Sequence, residues 1–449
     1  MEPPHSNSTG TLPIIVKPIS LSNRQRFSHV DEGLCGVVGA QKVISLLSSR
    51  HIVISLNHNS LGDDGTCQLF AYLCSTEGSK HRATITEIDL TNNNIGCKGL
   101  QAIAEFVRGN DVLEVLWLTN NALTPDPVTL ASFANALNSS RLRLLSVTGN
   151  SQLGDLFLDR FLPLLRSRSL GELHINAIGL TPRGASAIAA WVTRSKAMDN
   201  QGMCYLHTLK CSGNNLGVRG VWEVIRAIEK GNWALNKVEM YANQLTEPQL
   251  QIIAIQSSST SDQPPSIPET EEAWKDCQRG LQRVIMRNHY WRRQTGKEAC
   301  NLLRYARSLL MCSKLLSTPS APSHLSPNSN PSPTSTILFP FFALPNELKL
   351  YILALFAPSL SSMQRIRVYN YASDPKTLPP LAPNFRQGAG KGYRSSLEMT
   401  CKLSSPDGRF VATGMGLQCR EQEQAKFLEA VGCCSYEPEP KGQLDRGSL

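Results

Sequence analysis

Cys204, His207 and Cys211 are spaced closely enough to raise the question of a metal centre. A tetrahedral zinc site takes four such ligands, commonly with a C-x-x-C pair, and no pair completes this set. Cys433 and Cys434 are adjacent, a spacing more often inert than metal-binding. No metal is expected. The signatures of acyl transfer, phosphate cradling, dinucleotide binding and zinc hydrolysis (G-x-S-x-G, P-loop, Rossmann fingerprint, H-E-x-x-H) are missing. Asn92–Asn94 and Asn214–Asn215 resemble catalytic amides only until a structural role is found for them. No catalytic residue, no cofactor and no enzymatic activity are expected, which leaves the chemistry of recognition. A basic run, Arg279, Arg283, Arg287, Arg292, Arg293, Lys297, Arg304 and Arg307, is interleaved with Tyr290, Trp291 and Tyr305. Guanidinium groups neutralise phosphates, and aromatic rings stack on bases. Arg283, Arg287, Arg292, Arg293 and Lys297 are therefore the candidate patch for an anionic partner. Glu269–Glu272 and acidic side chains of neighbouring elements can also pair with this run. A solvated or internally paired face is the reading adopted, and nucleic acid is not an expected partner.

The elements that position these groups are set by residues 85–99, ITEIDLTNNNIGCKG. Ile88 and Leu90 alternate along a strand and point one face inward. The asparagine amide can bond the backbone where the chain leaves the strand, and the glycine eases the bend that follows. Copies occur with Leu56 and Asn59, Leu118 and Asn121, Val147 and Asn150, Ile175 and Ile178, Cys211 and Asn214, and Met240 and Asn243. Steps between the ladder positions are 34, 28, 29, 28, 36 and 29 residues, room enough for a helix after each strand. Ile178 replaces the asparagine in the fifth unit. The fourth carries one extra residue between Asn150 and Leu153.

These units resemble leucine-rich repeats, L-x-x-L-x-L-x-x-N-x-L, and in particular the ribonuclease-inhibitor-like subclass. The resemblance implies an α/β fold: a solenoid, a horseshoe with parallel strands inside and helices outside. A small, mainly helical C-terminal module follows. The wider layout is similar to ribonuclease-inhibitor-like proteins of fungi, through Met286–Asn288, Leu302–Arg307, Leu344–Leu353 and Phe427–Cys433. Side chains between the inward residues face the concave surface. Asp89, Trp117, His174, Lys210, Glu239 and Tyr241 stack there in rows and are the candidate protein-binding residues, since large aromatics can anchor a partner.

The sequence divides into a disordered arm (1–27), a cap lacking its strand with seven repeats (28–256) and a flexible insertion (257–272). An atypical, basic terminal repeat (273–316) follows, with a strand through Leu281, Val284 and Met286 and a helix over 298–312. Then come a low-complexity linker (317–336), a helical stretch (337–375), a loose segment (376–396), a small C-terminal segment (397–436) and a disordered tail (437–449). Leu344, Pro345, Glu347, Leu348, Ile352 and Leu353 resemble the start of an F-box, which implies the F-box-binding linker protein of a ubiquitin ligase as a partner. Small-GTPase activators of the Ran type share the repeat subclass and supply a third reading.

The chain has 449 residues, a net charge of +9 and thirteen cysteines without framework spacing. Reduced thiols fit an intracellular setting, cytoplasmic or nuclear. No apolar run approaches the roughly 18 residues of a membrane span.

Overall fold

The computed structural model describes residues 25–193, 205–245, 269–315, 344–378 and 414–439. The arm before residue 25, a helix expected at 248–255, the linker 317–336, the apolar stretch 337–343 and the segment 379–413 lie outside the described residues. Eight short strands form one sheet in chain order. They are β1 (Arg26–Ser28), β2 (Val53–Ser55), β3 (Glu87–Asp89), β4 (Val115–Trp117), β5 (Leu144–Ser146), β6 (Glu172–His174), β7 (Thr208–Lys210) and β8 (Lys237–Glu239). All run parallel. Between them lie α1 (Gly36–Leu46), α2 (Gly62–Cys74), α3 (Ser79–Arg82), α4 (Cys97–Val107), α5 (Pro127–Asn138), α6 (Gly154–Phe161), α7 (Pro182–Val192) and α8 (Gly217–Gly231). A mainly helical region follows: α9 (Glu271–Leu315), α10 (Asn346–Leu355), α11 (Ser362–Ser373) and α12 (Gly414–Ala430). The chain is thus an α/β protein of alternating strand–helix repeats. It divides into two compact units, with the boundary running through α8 and β8.

In the first unit the strands keep one register. Ile54, Ile88, Leu116, Leu145, Leu173 and Leu209 are successive partners, and none is more than 1 % exposed. Strand residues on either side of them face the other way. The first strand corrects the expected boundaries: Arg26–Ser28 pairs with Val53–Ser55, so the cap has its strand and the arm ends sooner. Phe27, 4 % exposed, supplies its inward residue, and one aromatic between polar neighbours carries no visible alternation.

Each ladder asparagine joins its own repeat to the one before. Asn121 Nδ2 donates to Leu90 O at 3.0 Å, while its Oδ1 accepts from Asn93 N and Ile95 N at 3.1 and 3.0 Å. Asn214 repeats this on Ile175 O, Ile178 N and Leu180 N. Asn93 and Asn214 thus each have a structural role in the frame, Asn93 Nδ2 donating to Leu56 O at 2.8 Å and Asn214 Nδ2 to Ile175 O. The Ile178 exception and the extra residue of the fourth turn explain each other. That longer turn bonds itself, Asn150 N to Val147 O and Leu153 N to Asn150 O. The two amide N–H groups that an oxygen at 178 would have satisfied are thus already bonded within the fourth repeat.

The residue before each ladder position is left-handed: His58, Asn92, Asn120, Gly149, Ala177, Gly213 and Ala242 all have positive φ. The turn imposes this even on alanine, which ordinarily avoids it. The repeat glycine has a different role from the one expected. Gly99 lies inside α4, and a Cβ there would come within 2.9 Å of Asp63 Oδ1 and 2.6 Å of Ile95 Cγ2. It permits close packing of consecutive repeats; Asp63 Oδ1 accepts from Gly96 N and Gly99 N at 2.7 and 2.8 Å.

The second unit is built on α9. The strand expected through Leu281, Val284 and Met286 is absent; these residues are helical, and Met286 is 62 % exposed. The decisive period is Cys277, Val284 and Asn288, then Thr295, Ala299, Leu302 and Ala306, all buried on one helical face. Asn288 still works as an amide cap, donating to Asn232 O and Leu235 O at 3.1 and 2.6 Å. The C-terminal half of α9 packs with Leu353, Leu360, Val368, Phe427 and Val431 in one apolar cluster. A capping box, Ser361 with Gln364, starts α11. The final described segment is held down. Arg367 Nε donates to Val431 O at 2.7 Å and Arg367 pairs with Glu437 at 2.9 Å. Arg365 pairs with Glu439 at 3.4 Å, and Tyr436 stacks on Trp291 at 4.6 Å. The tail expected to be disordered from 437 is therefore anchored at its first three residues.

Candidate functional site

The third residue of each strand lies on the sheet face away from the inward leucines, and register makes these residues neighbours. Asp89 sits beside Trp117, Trp117 beside Ser146, Ser146 beside His174, and His174 beside Lys210. Trp117 and His174 lean over the small Ser146 until their rings lie 5.6 Å apart. Ser146 is consequently 1 % exposed and His174 only 5 %. His174 is thus not an exposed anchor. It is a packing partner that supports Trp117.

Two carboxylates orient the pair. Trp117 Nε1 donates to Glu87 Oε1 at 3.2 Å. His174 Nε2 lies 3.3 Å from Glu172 Oε2, and this hydrogen bond holds the Glu172 carboxyl below its ordinary value. Glu87 and Glu172 stand two residues before Asp89 and His174. Strand alternation alone puts them on the same face, yet they escape a reading confined to the two rows between inward residues. Asp89 Oδ1 accepts from Thr91 N at 3.0 Å, which turns that carboxylate toward its own backbone. Lys210 Nζ lies 3.9 Å from Glu239 Oε2, both partly exposed. Tyr241 is 62 % exposed and stands at the end of the strip.

The strip combines a half-buried tryptophan, an exposed tyrosine and a small carboxylate excess: Glu87, Asp89, Glu172 and Glu239 against Lys210 and Lys237. It can bury aromatic surface and attract cationic groups.

The basic run is split by the helix it lies on. Arg287 leaves the patch: its guanidinium donates to Glu229 O, Ile228 O and Asn232 O at 2.7, 3.1 and 3.1 Å and covers the Trp233 ring at 3.9 Å. These carbonyls end α8, where a cation is favoured. Arg307 is bonded to Thr377 O and Oγ1. Arg279 pairs with Asp276. Arg283, Arg292, Arg293 and Lys297 are exposed.

Cys204 lies outside the described residues. Cys211 is buried in the core, which pushes its thiol up to about 12, and His207 Nδ1 lies 3.0 Å from Thr208 Oγ1. Among the described residues, no group of three His, Cys, Asp or Glu could hold a metal, and no helix is long and apolar enough to cross a membrane. Compared with known proteins, the chain matches no family model and no curated protein.

Proposed function

We propose that the chain is a leucine-rich-repeat protein of the ribonuclease-inhibitor-like kind, and a non-enzymatic scaffold that binds a protein on its concave face. The observation that carries this reading is the aligned strip from Glu87 to Tyr241, where Trp117 is held by Glu87 and His174 while Tyr241 stands open. A preorganised aromatic anchor loses little freedom on binding. The carboxylate excess favours a partner segment that presents lysine or arginine beside an apolar group. Affinity capture with the full chain from its own cells tests this. Trp117→Ala with Tyr241→Ala is expected to lose the partner by at least tenfold in retained amount. Equal retention by a folded double variant would reject the site.

A second reading, an F-box-type substrate adaptor, is favoured by α10. Leu348, Tyr351 and Leu355 are 49, 66 and 64 % exposed and recur at helical spacing directly after Leu344 and Pro345. Under this reading the ligase linker protein co-purifies with the chain and is lost on Leu348→Ala with Tyr351→Ala. Its absence from the intact chain's complexes would dismiss the adaptor role.

A further inference from the structure

We infer that the solvent face of α9 is a binding surface for single-stranded nucleic acid, read through its phosphates and one stacking ring. This surface is made of residues other than those of the strip, and the inference does not rest on the scaffold reading.

At 100° per residue, Arg279, Arg283, Met286, Tyr290, Arg293, Lys297 and Arg304 fall within about 40° of one line along the helix. Every one of them is exposed. The buried residues Cys277, Val284, Asn288, Thr295, Ala299, Leu302 and Ala306 occupy the opposite face. From Arg279 to Arg304 the line is about 37 Å long, at about 1.5 Å per residue. Between Gln278 and Leu315 the helix carries one carboxylate, Glu298. That group is 4 % exposed and is spent on Ser359 N at 2.8 Å and Gln294 at 2.8 Å. Among the described residues the side-chain cations of Arg283, Arg293, Lys297 and Arg304 have neither a hydrogen bond nor an ion pair; the one bond to Arg304 outside the helix ladder is from Ser308 Oγ to its carbonyl. The internal pairing expected from Glu269–Glu272 does not reach them: Glu271 pairs with Lys275 and Glu269 with Trp274.

Four unpaired cations held along one helix face repel one another, and a polyanion relieves that repulsion. Most are arginines, whose planar forks match phosphate oxygens. Tyr290, 63 % exposed, lies on the same line between Arg283 and Arg293. A ring in that position offers a platform for an unpaired base. A duplex keeps its bases stacked inside, so the tyrosine favours a single strand. Arg292 is exposed but lies off the line, and Arg287 is committed to α8.

The test is fluorescence anisotropy of a labelled oligouridine of about 20 nucleotides against the full chain, between about 50 and 200 mM salt, the range over which phosphate contacts dominate. Binding that weakens with salt is expected. Arg283→Ala, Arg293→Ala and Lys297→Ala together are expected to reduce the log–log salt slope by about 2, at roughly 0.7 per phosphate lost. Tyr290→Ala is expected to weaken binding by roughly 5-fold or more with the slope unchanged. All four side chains are exposed, and an unaltered thermal melt checks that the variants fold. No binding at the lowest salt, or a triple variant that binds like the parent chain, overturns the inference. It is also overturned if polyglutamate or phosphatidylserine vesicles displace the oligonucleotide at equal charge and Tyr290→Ala has no effect. The surface would then serve an acidic protein or an anionic membrane.

Discussion

Replacing Leu90 by aspartate is expected to unfold the repeat unit. Leu90 is completely buried. Its amide donates to Trp117 O at 3.0 Å, and its carbonyl accepts from Asn121 Nδ2 at 3.0 Å. The substitution removes apolar contacts worth about 2–5 kcal/mol in comparable cores and leaves a carboxylate without a partner, a further cost of several kcal/mol. The sum rivals the whole stability of an ordinary domain, about 5–15 kcal/mol. Loss of the cooperative melt by circular dichroism is the expected reading, whereas Leu90→Met should cost less than about 1.5 kcal/mol. An aspartate variant that melts like the parent would show that the strand register is wrong.

Asn214→Ala is the second large effect. The amide satisfies Ile175 O, Ile178 N and Leu180 N across two repeats, at 3.0, 3.0 and 3.1 Å. Alanine fills none of these roles, and each orphaned buried group costs about 1–3 kcal/mol. A loss of about 3 kcal/mol or more is expected, which lowers the melting temperature by roughly 6–12 °C for a unit of this size. Asn214→Asp keeps the acceptor toward Ile178 and Leu180 but loses the donor toward Ile175, and should fall between. An unchanged melt for the alanine variant would contradict the bridging role.

The frame of the sheet is legible in the sequence because period-two alternation and a fixed asparagine recur together. Ile88, Leu116, Leu145 and Leu173 are found this way, and the structure pairs them in line. The glycine of four units, Gly65, Gly99, Gly184 and Gly220, is also legible, but its reason is not: the contact Gly99 makes with Asp63 belongs to the neighbouring repeat. Burial of His174 is hidden for the same kind of reason. Trp117 is far away in sequence, and only the register shows that the two rings meet above Ser146. Left-handed backbone at Ala177 and Ala242 leaves no mark at all, since the turn rather than the residue type demands it. In α9 the short alternation of Val284 and Met286 suggests a strand, but a longer helical period running from Cys277 to Ala306 prevails. A window wider than one strand is needed to see it.

The most direct test of the binding face is hydroxyl-radical footprinting of the full chain, alone and with its captured partner. Tyr241, Tyr290 and Tyr351 are 62, 63 and 66 % exposed, so they start from similar reactivity on three different surfaces. Protection of Tyr241 and Trp117, with Tyr290 and Tyr351 still oxidised, is the result expected of a scaffold that binds on its strand face. Protection of Tyr351 with Tyr241 left reactive would contradict that account and place the partner on α10.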